Sequence, residues 1–118
     1  MKARRKFTRV ECNMNVLVQI DNVMFLEANI LNISLKGAFF KFADYCVFKK
    51  GDKWDLKFKL PNFDFNLQFE IEVTHSHNHL VGVKFVHMDI ETMQHLRSLI
   101  EGRISNPEEI ERELELLN

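Results

Sequence analysis

Three arginines stand near the start of the chain, and Arg5 and Arg9 are spaced R-x-x-x-R, with Arg4 beside them. A guanidinium is planar and always charged. Its paired donors match phosphate oxygens or the edge of a guanine, and it can stack on an aromatic base. Further along, Asn32-Ile33-Ser34-Leu35-Lys36-Gly37 places an amide, a hydroxyl, an ammonium and a glycine within one hexapeptide. Side chains as short as those of Asn32 and Ser34 bond to nearby backbone or to a ligand. Gly37 is expected to take φ > 0 and turn the chain sharply into the next strand. A plain turn needs only the glycine and one polar residue. The extra groups make the hexapeptide a small recognition surface or, taken alone, simply a surface hairpin.

His75, His77 and His79 alternate as on one face of a strand, which raises a metal site. A turn expected over residues 76–79 separates them, and no Cys or carboxylate completes a zinc set, so no metal is assigned. His75 ends the apolar face of its strand, where its ring either stacks on a purine or lies half covered by neighbours. No nucleophile sits near a base, no carboxylates pair, and no phosphate-cradling loop precedes a helix, so nothing points to an enzyme. Cys12 and Cys46 do not form a C-x-x-C pair and are read as ordinary thiols.

The elements that must position these groups follow from periodicity. Residues 1–11 lack it and read as a flexible basic arm. Val16, Val18 and Ile20 share one side of a strand over 15–20, and Asp21-Asn22 is a turn. Strands are expected over 24–31 and 38–42 on either side of the hexapeptide, and Lys50-Gly51-Asp52 is another turn. Trp54, Leu56, Phe58 and Leu60 then alternate with charged residues, and Pro61-Asn62 breaks that strand. The longest alternation runs from Phe63 to Val73, and a last strand covers 80–86. Trp54 and the phenylalanines obey the alternation and are assigned to the core. Asp89 is a helix N-cap before Met93, Leu96 and Ile100, with Gly102 as the stop. Asn106-Pro107 opens a second helix with an Ile110, Leu114 and Leu117 stripe and a possible Glu108–Arg112 pair. Strands at hairpin distances imply a mainly β fold: a six-stranded antiparallel β-barrel over 12–88, with C-terminal α-helices over 89–118 packed on it.

With 118 residues, 46% hydrophobic and 28% charged, this is one globular domain. Its 11 phenylalanines suit strands. The net charge of −1 conceals a segregation. Residues 1–9 hold five cations and no acid, which leaves 11 basic residues against 17 acids in the rest, a net of −6. A basic arm on an acidic body suits a compact anion better than extended DNA or RNA. No signal peptide or membrane-length apolar run is visible, so a cytoplasmic protein without membrane insertion is expected, with a monomer favoured.

R-x-x-x-R, a short barrel strand, then [D/N]-x-S-x-x-G resembles the signature of the PilZ domain family, carried here by Arg5, Arg9, Asn32, Ser34 and Gly37. Gly51-Asp52, the strand Val81-Gly82-Val83-Lys84-Phe85 and the helical C-terminus resemble that family in order and spacing. The resemblance implies a Greek-key split barrel that acts as a receptor for cyclic di-GMP, a bacterial second messenger, with no other cofactor. It implies that Arg5 and Arg9 hold phosphates and guanine faces as the arm folds over the ligand, that Asn32 and Ser34 bond guanine and phosphate, and that Gly37 permits close approach. Arg4 would then reach a second, stacked ligand molecule, and Lys36 either adds a phosphate contact or is solvated. Ordering of the arm would work as an allosteric switch read by a protein effector. The alternative is a PilZ-like interaction scaffold that does not bind nucleotide. Asn32 stands where Asp is commoner in the family, which removes a charge and adds a donor, and Gly37-Ala38 stands where a Gly-Gly pair is usual.

Overall fold

Apolar residues on alternate positions share one face of a strand, and here the strands that carry them close around a common interior. The computed structural model describes residues 9–44, 48–61 and 63–102. Its strands are β1 (Val10–Ile20), β2 (Met24–Ile33), β3 (Gly37–Phe42), β4 (Lys53–Phe58), β5 (Leu67–His77) and β6 (Leu80–Met88), followed by helix α1 (Ile90–Glu101). All neighbouring strands are antiparallel and close into a barrel in the order β1-β2-β3-β6-β5-β4. The chain therefore crosses the barrel between β3 and β4. Closure rests on two residue pairs, Gln19 with Lys57 and Ile20 with Leu56. The expected second helix lies outside the described residues, as do Arg4, Arg5 and Cys46.

The interior is filled by Val16, Val18 and Ile20 from β1, Ala28 and Ile30 from β2, Phe40 and Phe42 from β3, Leu56 and Phe58 from β4, and Phe69, Ile71 and Val73 from β5. Phe40 meets Phe58 edge to face at 5.5 Å, and Phe69 stacks on Phe85 at 3.9 Å. Aromatic pairs of this kind add to simple burial. Helix α1 starts at Asp89, whose carboxylate accepts the Thr92 N–H at 2.7 Å. That backbone hydrogen bond, aided by one from the Thr92 side chain, holds the Asp89 carboxyl below its usual range. The Thr92 hydroxyl in turn accepts from the Gln68 N–H at 3.3 Å, which ties the helix to the start of β5 while Leu96, Leu99 and Ile100 are buried.

Several boundaries differ from the sequence pattern. β1 begins at Val10 rather than at 15, so Val10 and Glu11 belong to the barrel. β5 starts at Leu67, not at 63. Phe63 and Phe65 alternate because they pack against each other, and Phe65 stacks on His95 of α1 at 3.7 Å. The expected turn at 76–79 is shorter: β5 runs to His77, and Asn78, at φ 55°, makes the reversal. The phenylalanines are not all core. Phe25 is 58% exposed at the end of the β1–β2 hairpin, and Trp54 is only half-buried. Among the described residues no helix is long and apolar enough to cross a membrane.

Candidate functional site

The hexapeptide is less of a loop than its composition suggests. Asn32 and Ile33 belong to β2 and Gly37 starts β3, so only residues 34–36 turn. Ser34 organises that turn and is 1% exposed. Its hydroxyl oxygen accepts the N–H groups of Lys36 at 3.1 Å and Gly37 at 3.2 Å, and it donates to the Gly37 carbonyl at 3.3 Å. The Ser34 N–H reaches the same carbonyl at 2.8 Å. A short hydroxyl two or three residues before the groups it bonds is the geometry of a Ser-capped turn.

Gly37 is required for a reason other than the one expected. Among the described residues the only glycine with positive φ is Gly51, so Gly37 does not use its left-handed freedom. A Cβ at Gly37 would lie 2.3 Å from the Val83 carbonyl oxygen. Glycine lets β3 approach β6 at this point, where Gly37 stands opposite Lys84. Lys36 is exposed, and its carbonyl accepts the Phe85 N–H at 2.8 Å. The turn is thus pinned to β6 on both sides.

Arg9, half-buried just ahead of β1, meets this region directly. Its Nη1 donates to the Asn32 Oδ1 at 3.0 Å, across 23 residues of sequence. A guanidinium only donates, so the contact determines which amide atom of Asn32 is the oxygen. One member of the arginine spacing and the first polar residue of the hexapeptide are brought together. The contact is possible because Asn32 faces outward, which simple alternation forbids: Ala28 and Ile30 point inward, and Asn32 would follow them. A register shift between Ile30 and Asn32 relative to β3 inserts one residue and reverses the phase. A second shift separates Glu11 from Met14 in β1, where Asn13 adopts φ 50°.

His75 follows the same rule. Phe69, Ile71 and Val73 point inward and His75 would continue their face, but a shift between Val73 and His75 relative to β6 turns it outward. It therefore does not end the apolar face as the pattern suggested. Its ring lies 5.5 Å from that of Phe39, at an interplanar angle of 42°. The register joins Glu11 to Asn32, Asn32 to Phe39, Phe39 to Gly82 and Gly82 to His75, one line across five strands. Phe39 and Gly82 were not legible as members of this line. The available signal was Phe39-Phe40, since of two adjacent phenylalanines in a strand one must face outward. His79 is drawn elsewhere, its Nδ1 lying 3.0 Å from the Phe42 carbonyl. Among the described residues no three His, Cys, Asp or Glu side chains converge as metal ligands.

The fold is thus a small antiparallel barrel in which an arginine ahead of β1 meets the polar turn between β2 and β3. The model of the PilZ domain family matches residues 3–102, and the chain belongs to that family. A search of curated proteins gave no match. Among solved structures, the chain is similar to the inhibitor of motility MotI/DgrA of Bacillus subtilis, with a TM-score of 0.64 and 20% identity over 85% of this chain and 53% of that one. It is similar to the PilZ domain of YcgR from Escherichia coli with c-di-GMP, with a TM-score of 0.66 and 11% identity over 86% of this chain and 92% of that one. The PilZ domain of CeSA from a cellulose-synthesizing bacterium matches with a TM-score of 0.61 and 12% identity, over 80% of this chain and 96% of that one. The chain spans about half the length of MotI/DgrA. At these identities the likeness is one of fold.

Proposed function

We propose that the chain is a cyclic di-GMP receptor and not an enzyme. Arg4, Arg5 and Arg9 hold the ligand from the arm side, Asn32, Ser34 and Gly37 from the barrel side, and Lys36 and His75 stand at its margins. The observation that carries this reading is the Arg9–Asn32 hydrogen bond of 3.0 Å, which aligns a guanidinium with the hexapeptide. A ligand with two phosphate charges and two flat purines calls for fork-shaped donors, neutral polar groups and little steric bulk, and these residue types supply them. Membership of the PilZ family and the likeness to a YcgR domain solved with c-di-GMP support the same reading. Contact of the ligand with Arg4 and Arg5 couples residues 1–8 to the barrel, and a protein effector reads that coupling.

Gly37 acts through the close approach of β3 to β6, which fixes the turn that carries Ser34. Ser34 favours the competing reading, an interaction scaffold that binds no nucleotide, because its hydroxyl is already engaged within the turn. Calorimetric titration of cyclic di-GMP into the wild type, Arg5→Ala, Arg9→Ala and Ser34→Ala separates the two. Each charge-assisted hydrogen bond contributes about 1.5–3 kcal/mol, so loss of either arginine should raise Kd by roughly tenfold to a hundredfold. A wild type that gives no heat at micromolar concentration decides for the scaffold.

A further inference from the structure

A groove of 1030 Å³ crosses the outer face of β1, β2 and β3, and neither Arg9 nor the hexapeptide lines it. Its floor is set by register. Leu17 stands opposite Glu27, and Asn29, opposite Lys41, donates from Nδ2 to Asn15 Oδ1 at 3.1 Å. One wall follows from the early end of barrel closure. β1 pairs with β4 no further than Gln19–Lys57, and Pro61, with no N–H to donate, stands in the connection beyond. Pro61 and Phe63 line the groove from that side. In the floor Leu17 is 54% exposed, although Val16 and Val18 beside it are buried. An apolar side chain left open in a groove of this size marks an interaction surface.

We propose that the occupant of this groove is the chain's own segment 107–117, docked as an amphipathic helix. The segment lies outside the described residues, and its sequence supplies the match. Ile110, Leu114 and Leu117 fall at i, i+4 and i+7 and form one apolar stripe for the side of the groove that holds Leu17 and Phe63. Around the stripe the charges are five glutamates and Arg112. Lys41 and Lys59 line the groove with Glu27 between their strands, so acids on the helix meet lysine and Arg112 meets Glu27. Lys59 also stands 4.0 Å from Asp64, which leaves Lys41 as the stronger attraction. The lengths agree. Residues 107–117 as a helix rise about 16 Å, and from Pro61 across β1 and β2 to β3 is three strand spacings, about 14 Å. The reach is short. Phe63 packs on Phe65 at 5.3 Å and Phe65 on His95 at 3.7 Å, so α1 already adjoins the groove wall. From Glu101 at the end of α1, residues 102–106 bridge up to about 17 Å. Such a tether gives the segment a roughly millimolar effective concentration, an advantage over any untethered helix of the same chemistry.

The test uses the full chain with Cys12 and Cys46 changed to serine. Leu17→Cys is combined in turn with Ile110→Cys, Leu114→Cys and Leu117→Cys, and mild oxidation should close an intramolecular disulfide in at least one pair. Val86→Cys with the same partners should give none, because Val86 is exposed on β6 beside Glu70 and does not line the groove. No disulfide from Leu17, or equal yields from Leu17 and Val86, overturns the docking. A disulfide that joins two chains also overturns it, and gives the groove to a second copy. Melting curves supply the independent check. Leu17→Ser and Leu114→Ser should each lower the midpoint by about 5 °C, and the double variant by no more than the larger single shift. Additive shifts, or an unchanged midpoint for Leu114→Ser, count against the contact. Neither measurement involves nucleotide, so the receptor reading stands or falls separately.

Discussion

The strand β5 is shared by two ladders that behave differently. Against β4 it keeps one register without a break from Lys53–Glu72 to Phe58–Leu67. Against β6 it slips twice, between Glu70 and Ile71 and between Val73 and His75. The regular ladder buries Leu56, Phe58, Phe69 and Ile71 on one face and leaves Lys53, Asp55 and Glu70 on the other. It supplies core and nothing else that can be assigned a function. The slipped ladder gives up part of that regularity and places His75 beside Phe39 on the surface. The comparison shows that regular pairing fills the core, whereas a slip within the same strand re-aims a side chain to the surface.

Substitutions can break or sharpen that contrast. The largest effect is expected from Gly37→Ala. The new Cβ would press on backbone, the Val83 carbonyl, which cannot swing away as a side chain could. A cost of about 3 kcal/mol is expected from urea unfolding, and an unchanged midpoint would refute the close-approach account of this glycine. Ser34→Ala comes next, since it strips the part-buried Lys36 N–H and the buried Gly37 N–H of their acceptor. A loss of about 2 kcal/mol without any ligand is expected. If stability stays level and only nucleotide affinity falls, the hydroxyl serves the ligand and not the turn.

A smaller effect is expected at the β1 bulge. Asn13 at φ 50° tolerates glycine, whereas Asn13→Val forces a β-branched residue into the left-handed region, at roughly 1–2 kcal/mol. Equal thermal stability of the Gly and Val variants would show that the bulge does not depend on this residue. The smallest effect belongs to the regular ladder, where Asp55 stands directly opposite Glu70 and both are exposed. Glu70→Lys should raise stability by about 0.5 kcal/mol at low salt and leave ligand affinity unchanged. A change in affinity would mean that the regular ladder takes part in binding after all.

Much of the fold was legible because burial imposes period 2 wherever a ladder is regular. Leu56, Phe58, Phe69, Ile71 and Val73 could be placed inside the barrel from their alternation alone. The Asp89 cap was equally plain, since a carboxylate before an apolar-periodic run satisfies N–H groups at a helix start. The misreadings fall where another contact replaces the ladder or where the phase slips. Phe63 and Phe65 imitate a strand because they pack on each other, with Phe65 stacked on His95. Asn32 and His75 were recognised as candidates by chemistry, but their orientation could not be read. Phe39 was assigned to the core with the other phenylalanines on the strength of alternation, although Phe39 and Phe40 cannot share one face of a strand.

Taken by itself, the sequence determined the inventory and the broad order: the arginine spacing, the polar hexapeptide, six strands at hairpin distances and a capped helix. Each follows from local chemistry, a donor geometry, a turn preference or a burial period. Only the tertiary structure decided that Arg9 meets Asn32, that Gly37 is needed for the backbone of β6, and that Phe39 and His75 share the outer surface. Those outcomes depend on how many residues one strand sets against its neighbour. A slip of one residue reverses every side chain beyond it, and that slip belongs to the pair of strands rather than to either segment alone.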